Sequence, residues 1–293
     1  MRTRINGLNF RTPLLTASGT FSEEQLDFYR NRMPFGGIVL KTHTFLPRDG
    51  NDGILIKEVK GGLLNSIGLA NCGIKQFKIG KFSRVANAHI ILSAAIFDEK
   101  EIGAFRKTAE KYGIKALELN LSCPNIKGKD VIEDLRGIKG LLEEIKSVFR
   151  EETVFAKLSY AQVKKGNIDL LAKTGFNGVT VINTVPACDI DIGKKAFVFE
   201  KKFAGLSGDL LFNMALKSVI DIKRWSGIPV IACGGVSSHI EVIKYIMAGA
   251  HLVQIGSRIF GDPGAPFKIE DGIKAYMKEN GIRDLREIRG IVK

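Results

Sequence analysis

Eight short apolar runs, each bounded by turn residues and separated from the next by a helix-like or irregular stretch, constrain this chain most. They cover residues 13–17, 37–42, 90–94, 116–120, 154–157, 178–182, 230–232 and 252–255. Several are continuous aliphatic and β-branched runs, the pattern of parallel strands buried on both faces; antiparallel strands would alternate more cleanly. Between them, Asp98 with Glu101 and Ser238 with Glu241 have capping-box spacing, in which side chain and backbone satisfy each other's free donors. Residues 130–150, 211–225 and 267–280 mix polar and apolar groups at helical spacing. Strand and helix alternating in this way predict an α/β fold, a (β/α)8 TIM barrel; a doubly wound open sheet is the competing architecture. The length of 293 residues is near the roughly 250 usual for one barrel, so a single domain over residues 1–293 is expected.

Two connections are too long for plain loops between strand and helix: 45–71 after the second run and 185–208 after the sixth. On a barrel, long loops at the C-terminal rim build the site or cover it. The second carries Lys194, Lys195, Lys201 and Lys202, which read either as a cationic lid or as a solvated loop.

In a barrel the residues at the C-terminal strand ends converge on one mouth, so polar groups far apart in sequence can be pooled. Here the pool is Ser18, Lys41, Thr42, Asn120, Cys123, Lys157, Asn183 and Thr184. Two lysines at buried strand ends require an anionic partner, because an unpaired buried ammonium is costly; a Schiff-base lysine is the enzymatic alternative. Gly234-Gly235 follows the seventh run and Gly256-Ser257 the eighth, the two loops from which barrels commonly build a phosphate site. Cys123 ends a strand, precedes Pro124 and is flanked by Ser122 and Asn125. A free thiol of pKa about 8.5 is partly thiolate at neutral pH and can act as a base when a cation or dipole helps, although cysteine is also a common packing residue.

Composition narrows the classes. The net charge of +13 favours anionic ligands, but the basic residues are spread along the chain without interleaved aromatics, so nucleic acid is not expected as a partner. The four cysteines (Cys72, Cys123, Cys188, Cys233) form no CxxC pair and no zinc-finger spacing, which points to reduced cytoplasmic thiols. His43, His89, His239 and His251 show no ligand spacing, and no metal is expected. Neither a signal peptide nor a membrane-spanning helix is expected, since no apolar run follows the first residues and none reaches the required length of about 18. No GxGxxG follows a strand, which argues against an NAD-binding Rossmann unit in this chain.

The stretch Asn120-Leu121-Ser122-Cys123-Pro124-Asn125 resembles the catalytic loop of the dihydroorotate dehydrogenases, in particular the catalytic subunits of the soluble class whose base is cysteine. The resemblance runs through most of the chain: Ala17-Ser18-Gly19-Thr20-Phe21, Lys41-Thr42-His43-Thr44, Leu64-Asn65-Ser66-Ile67-Gly68-Leu69, Ile182-Asn183-Thr184, Gly205-Leu206-Ser207-Gly208, Cys233-Gly234-Gly235-Val236 and Ile255-Gly256-Ser257. It implies an FMN over the barrel mouth with its phosphate on Gly234, Gly235, Gly256 and Ser257. Ala17, Ser18, Lys41, Thr42, Asn120, Lys157, Ile182 and Gly208 would complete the cofactor site. Lys41, Asn65, Ile67, Gly68, Leu69, Asn120, Asn125, Asn183 and Thr184 would hold dihydroorotate, amides matching the alternating donors and acceptors of a pyrimidine edge. The implied reaction is loss of a proton from C5 of dihydroorotate to Cys123 and of a hydride from C6 to flavin N5, giving orotate in pyrimidine biosynthesis.

The resemblance also implies a cytoplasmic homodimer and leaves two routes for the electrons: fumarate, or a partner subunit with FAD and an iron-sulfur cluster that reduces NAD. This chain has too few cysteines in cluster spacing to hold such a cluster itself. It departs from the family at Ser93, where many members have asparagine, at Ala204, Asp209 and Cys72, and across 185–203. Two other readings remain at this stage. Dehydrogenases of uncharged dihydropyrimidines share the cysteine loop, against which Asn125 after the proline favours orotate, and an aldolase-type barrel would use Lys157 or Lys41 as a Schiff base.

Overall fold

In a computed structural model, residues 1–122 and 133–292 are described. Eight parallel strands close into a barrel, and they are numbered here in chain order: β1 Leu14–Thr16, β2 Gly37–Val39, β3 His89–Ala94, β4 Ala116–Asn120, β5 Thr153–Leu158, β6 Gly178–Val181, β7 Val230–Cys233 and β8 Leu252–Ile255. Closure is made by β8 lying beside β1, with Val253 opposite Leu14 and Ile255 opposite Thr16. All eight expected runs are therefore barrel strands, and the open-sheet alternative is excluded.

Alternation along each strand divides the side chains between two surfaces. One set faces outward and packs under the helices, as Leu14, Ile38, Leu92, Leu117, Val154 and Val179 do. The other set faces the barrel axis, where Leu15, Val39, Ile91, Ala116, Phe155, Ile231 and Leu252 form a separate apolar cluster. Ile5 and Phe10, from an antiparallel hairpin of Thr3–Ile5 and Leu8–Phe10, join that cluster and close the barrel's N-terminal end. One layer above it the axis-facing residues turn polar: Ser93, Glu118, Lys157, Thr180 and Gln254 are all buried.

Helices Glu99–Tyr112, Lys139–Val148, Lys165–Thr174, Phe212–Trp225, His239–Ala248 and Ala265–Glu279 follow β3 to β8. The capping box at Ser238 forms as expected, Ser238 N donating to Glu241 Oε2 at 2.7 Å. At Asp98 the expectation is half met: Asp98 accepts from Lys100 N at 3.0 Å, while Glu101 reaches one residue further back and accepts from Phe97 N at 2.8 Å. The connection after β1 holds only a one-turn helix, Leu26–Tyr29. Here Phe21 packs against Tyr29, Phe35 and Phe82 at ring distances of 5.3, 5.7 and 6.4 Å. These rings cover the barrel wall in place of a long helix.

The two long connections pair with each other. Strands Val185–Ala187, Ala204–Ser207, Gly62–Asn65 and Ile56–Val59 form, in that order, a four-stranded antiparallel sheet. Its apolar side holds Leu64, Phe199 and Ala204, so the alanine at 204 is a packed strand residue. A Cβ on Gly208 would come within 2.4 Å of Gly62 Cα, which fixes glycine at that close approach. The tip of the second connection folds as a small hairpin, Ile190–Asp191 with Ala196–Phe197. Lys57 and Asp189 meet at 2.5 Å between the two connections; water screens such a pair, so the ladder and the apolar side carry the joint.

Candidate active site

At the C-terminal strand ends Ser18, Thr42, Asn120 and Asn183 of the pooled residues join, through Ser93 and Ser122, in one chain of hydrogen bonds. Ser18 Oγ donates to Leu40 O at 2.9 Å and lies 3.0 Å from Thr42 Oγ1, which is 2.8 Å from Ser93 Oγ. Asn120 Nδ2 approaches Thr42 Oγ1 at 3.5 Å, and Asn120 Oδ1 accepts from Ser122 Oγ at 2.7 Å. Asn183 Nδ2 in turn donates to Ser122 Oγ, and Asn183 Oδ1 accepts from Thr184 N at 2.9 Å. Thus β1, β2, β3, β4 and β6 all contribute, and Ser93 takes the place of an amide with a hydroxyl that Thr42 can satisfy. Cys123 and Asn125 lie outside the described residues.

Beneath this rim lies a charged pair. Lys157 Nζ is 3.7 Å from Glu118 Oε1 and donates to Gln254 Oε1 at 3.3 Å. Burial works most strongly against the Lys157 charge, but the facing groups, Glu118 foremost and Cys233 with it, together outweigh it, so the ammonium titrates above the ordinary lysine value. A Schiff-base lysine needs the opposite, an amine that is readily neutral. The Cys233 thiol at the same level is pushed up by burial, with Lys157 opposing and Glu118 adding, and stays protonated. Lys41 was expected to be buried as well, but it is exposed, although its neighbours Leu40 and Thr42 are buried and the backbone continues beside β3. Its carbonyl is 2.8 Å from Nδ1 of the buried His43, whose burial holds the imidazole below its ordinary value.

The glycine loops follow β7 and β8 as expected. Gly235 has φ 63°, and a Cβ there would lie 2.5 Å from Phe212 N, at the start of the helix Phe212–Trp225. Among the described residues the backbone N–H groups of Gly234, Gly235, Gly256 and Ser257 have no hydrogen-bond acceptor. Tyr245, on His239–Ala248, donates to Gly234 O at 2.6 Å and so fixes the loop from behind; burial pushes its phenol pKa up. Ile182, fully buried, donates from its amide to Cys233 O at 2.8 Å and ties β6 to that loop.

From the four-stranded sheet of the two long connections, termed the lid sheet below for its position, Asn65 Nδ2 donates to Gly205 O at 2.9 Å. A Cβ on Gly205 would meet Thr184 Oγ1 at 2.3 Å, so Asn65 and Thr184 converge on the same short strand. Gly68 and Leu69 both have positive φ, 69° and 56°, in a turn where Ile67 O accepts from Asn51 N at 3.2 Å. Asn71 clasps this turn to the barrel, donating to Leu69 O at 2.6 Å and Thr44 Oγ1 at 2.9 Å while accepting from Gly73 N at 2.8 Å. Gly208 stands against Gly62 within the lid sheet.

Several structural supports of the site were missed in the sequence. Glu118 read as one acid in an apolar run, and Gln254 as part of another. Gln162 and Asn167, both buried, grip the backbone on either side of the cysteine loop: Gln162 Nε2 donates to Leu121 O at 2.9 Å, and Asn167 Nδ2 donates to Glu133 O at 2.7 Å. The signal available was polar side chains of low helix-surface value next to strand ends, which alone does not separate a clamp from a solvated residue.

A family model described as dihydroorotate dehydrogenase matches residues 1–277. The chain belongs to the dihydroorotate dehydrogenase family. Among curated relatives of the dihydroorotate dehydrogenases, a protein of Petrotoga mobilis named dihydroorotate dehydrogenase B (NAD(+)), catalytic subunit, is 33% identical over 99% of this chain and 99% of its own. One of Endomicrobium trichonymphae with the same name is 35% identical over 97% of this chain and 94% of its own. A dihydroorotate dehydrogenase of Eimeria tenella, solved in complex with ferulenol, superposes with a TM-score of 0.79 at 23% identity, covering 99% of this chain and 88% of that one. That likeness is one of fold. As a dihydroorotate dehydrogenase the chain is an oxidoreductase that converts dihydroorotate to orotate in pyrimidine biosynthesis.

Proposed function

We propose that this enzyme works with FMN held across the barrel mouth of one domain spanning residues 1–293, and that Cys123 is its catalytic base. The observation that carries the reading is the stacking of three features at one end of the barrel. A rim of hydroxyls and amides lies over a buried lysine, and beside it stand two loops with four unaccepted backbone N–H groups. The residues fit the cofactor: a phosphate needs N–H donors, and among the described residues these four have no acceptor.

In this reading Gly234, Gly235, Gly256 and Ser257 hold the phosphate. Ala17, Ser18, Lys41, Thr42, Asn120, Lys157, Ile182 and Gly208 line the rest of the cofactor site. FMN supplies the two-electron acceptor of the reaction. Lys41, Asn65, Ile67, Gly68, Leu69, Asn120, Asn125, Asn183 and Thr184 hold the pyrimidine and its carboxylate, and the Cys123 thiolate takes the proton from C5. The hydrogen bonds linking Asn120, Ser122 and Asn183 preset the amides, so less ordering is needed when substrate arrives.

The relatives named NAD(+)-linked catalytic subunits support a partner subunit that carries electrons onward. Exposed apolar residues of the lid, among them Ile56, Ile190, Ile192, Phe197 and Phe203, support a protein interface there, either in a homodimer or with that subunit. Among the described residues no helix is long and apolar enough to cross a membrane, in keeping with a cytoplasmic enzyme. Purified protein is expected to be yellow and to bleach anaerobically on addition of dihydroorotate but not of dihydrouracil. Colourless protein that reconstitution with FMN leaves unchanged would remove the cofactor assignment, and bleaching by dihydrouracil instead would move the substrate to the uncharged dihydropyrimidines.

A further inference from the structure

The barrel interior holds a carboxylate to which the reaction assigns no role. Glu118 lies on β4 two residues below Asn120, on the same face and so one layer deeper. It is completely buried, and its two oxygens are used unequally. Oε2 accepts from Thr180 Oγ1 at 2.9 Å and from Gln254 Nε2 at 2.5 Å. Oε1 has no hydrogen bond among the described residues and faces Lys157 Nζ at 3.7 Å.

Gln254 bridges the pair, taking one N–H of Lys157 through Oε1 and giving its own N–H to Glu118. An ammonium has three donors. Gln254 takes one, and at 3.7 Å Glu118 attracts the charge without taking a hydrogen bond. Among the described residues the rest of the ammonium has no acceptor, which leaves it for whatever lies above it. Were Glu118 only a structural counter-ion, a close hydrogen-bonded pair would satisfy both charges better. Here the carboxylate is anchored from β6 and β8, and the lysine is held beside it without being consumed.

We propose that Glu118 is a positioning residue for Lys157: it fixes the ammonium at the top of the barrel interior and offsets its charge, so that the reduction potential of the bound flavin is held below the value that Lys157 alone would give. This rests on the flavin reading above. The sign follows from charge counting. The site gains negative charge when the cofactor takes up electrons, Lys157 favours that gain, and Glu118 opposes it.

The test is the flavin potential of the purified holoenzyme, read by equilibration with a reference dye. Glu118→Gln keeps the length and an acceptor for Thr180 and Gln254, and should raise the equilibrium constant for reduction by about tenfold, about 30 mV for a two-electron couple. A change of less than twofold, or a fall, overturns the proposal. Because that variant leaves Lys157 unpaired, the doubly neutral Glu118→Gln, Lys157→Met protein provides a second reading that does not depend on it. Its potential should stay within about threefold of wild type in equilibrium constant, since an offset pair has been removed whole. A fall of tenfold or more would mean that Lys157 acts at full charge and that Glu118 does nothing to it. Wild-type protein that binds no flavin would instead remove the functional reading itself, together with this proposal.

Discussion

Lys157 shows what a single residue can and cannot disclose. A lysine one residue before the end of the run Thr153–Leu158 stands out in the sequence, because a buried ammonium is too costly to be placed there for packing. Its partner was not legible: Glu118 is separated from Thr180 by 62 residues and from Gln254 by 136, and only the closed barrel brings them together. Cys123 is the reverse case, since its proposed role rests on its type and its place before Pro124 and Asn125, with no geometry behind it. Replacement of Cys123 with Ala is expected to lower kcat/KM for dihydroorotate by about 10²–10⁴-fold near neutral pH, the usual contribution of a positioned base. Flavin content should stay at the wild-type level; steady-state kinetics alongside the absorbance spectrum checks both, and undiminished turnover would exclude the thiol as base.

At the scale of the element, the strand ends were readable and the connections were not. The runs 45–71 and 185–208 were recognisably too long, but nothing local says that Gly62–Asn65 pairs with Ala204–Ser207 across about 140 residues. That pairing turns two loops into a sheet and places Asn65 beside Thr184. Within the second connection Lys194 and Lys195 lie at an exposed hairpin tip, and Lys201 and Lys202 are exposed as well. The loop after β7 makes a sharper demand. Gly235 combines φ 63° with a Cβ position 2.5 Å from the Phe212 amide, so neither conformation nor space admits a side chain. Gly235→Ala should cost about 1–3 kcal/mol in stability and loosen the cofactor, seen as a lower melting temperature and a faster release of flavin in dilution. Unchanged flavin affinity would show that this loop does not hold the phosphate.

At the scale of the molecule, the barrel divides its labour along its axis. The N-terminal end is apolar and plugged by Ile5 and Phe10, and the C-terminal end is polar, so chemistry and packing do not compete for the same residues. Among the described residues the cysteines are free: Cys72 and Cys188 are exposed and Cys233 is buried, with none grouped as cluster ligands. The proposed partner subunit would carry the electrons onward. The isolated chain is expected to reduce an artificial dye with dihydroorotate and to leave NAD unreduced, and rapid turnover with fumarate alone would count against the partner.

By itself the sequence determined the class of fold, because the period and spacing of its apolar runs are local properties that survive without tertiary context. It also determined the family and its chemistry, because the cysteine loop and the glycine pairs are short contiguous stretches. The tertiary structure decided everything that depends on closure. The Glu118–Lys157–Gln254 network, the lid sheet and the clamps at Gln162 and Asn167 all join groups from different strands or connections. No local pattern encodes such joins, because burying a polar group is tolerable only when a distant partner arrives to satisfy it.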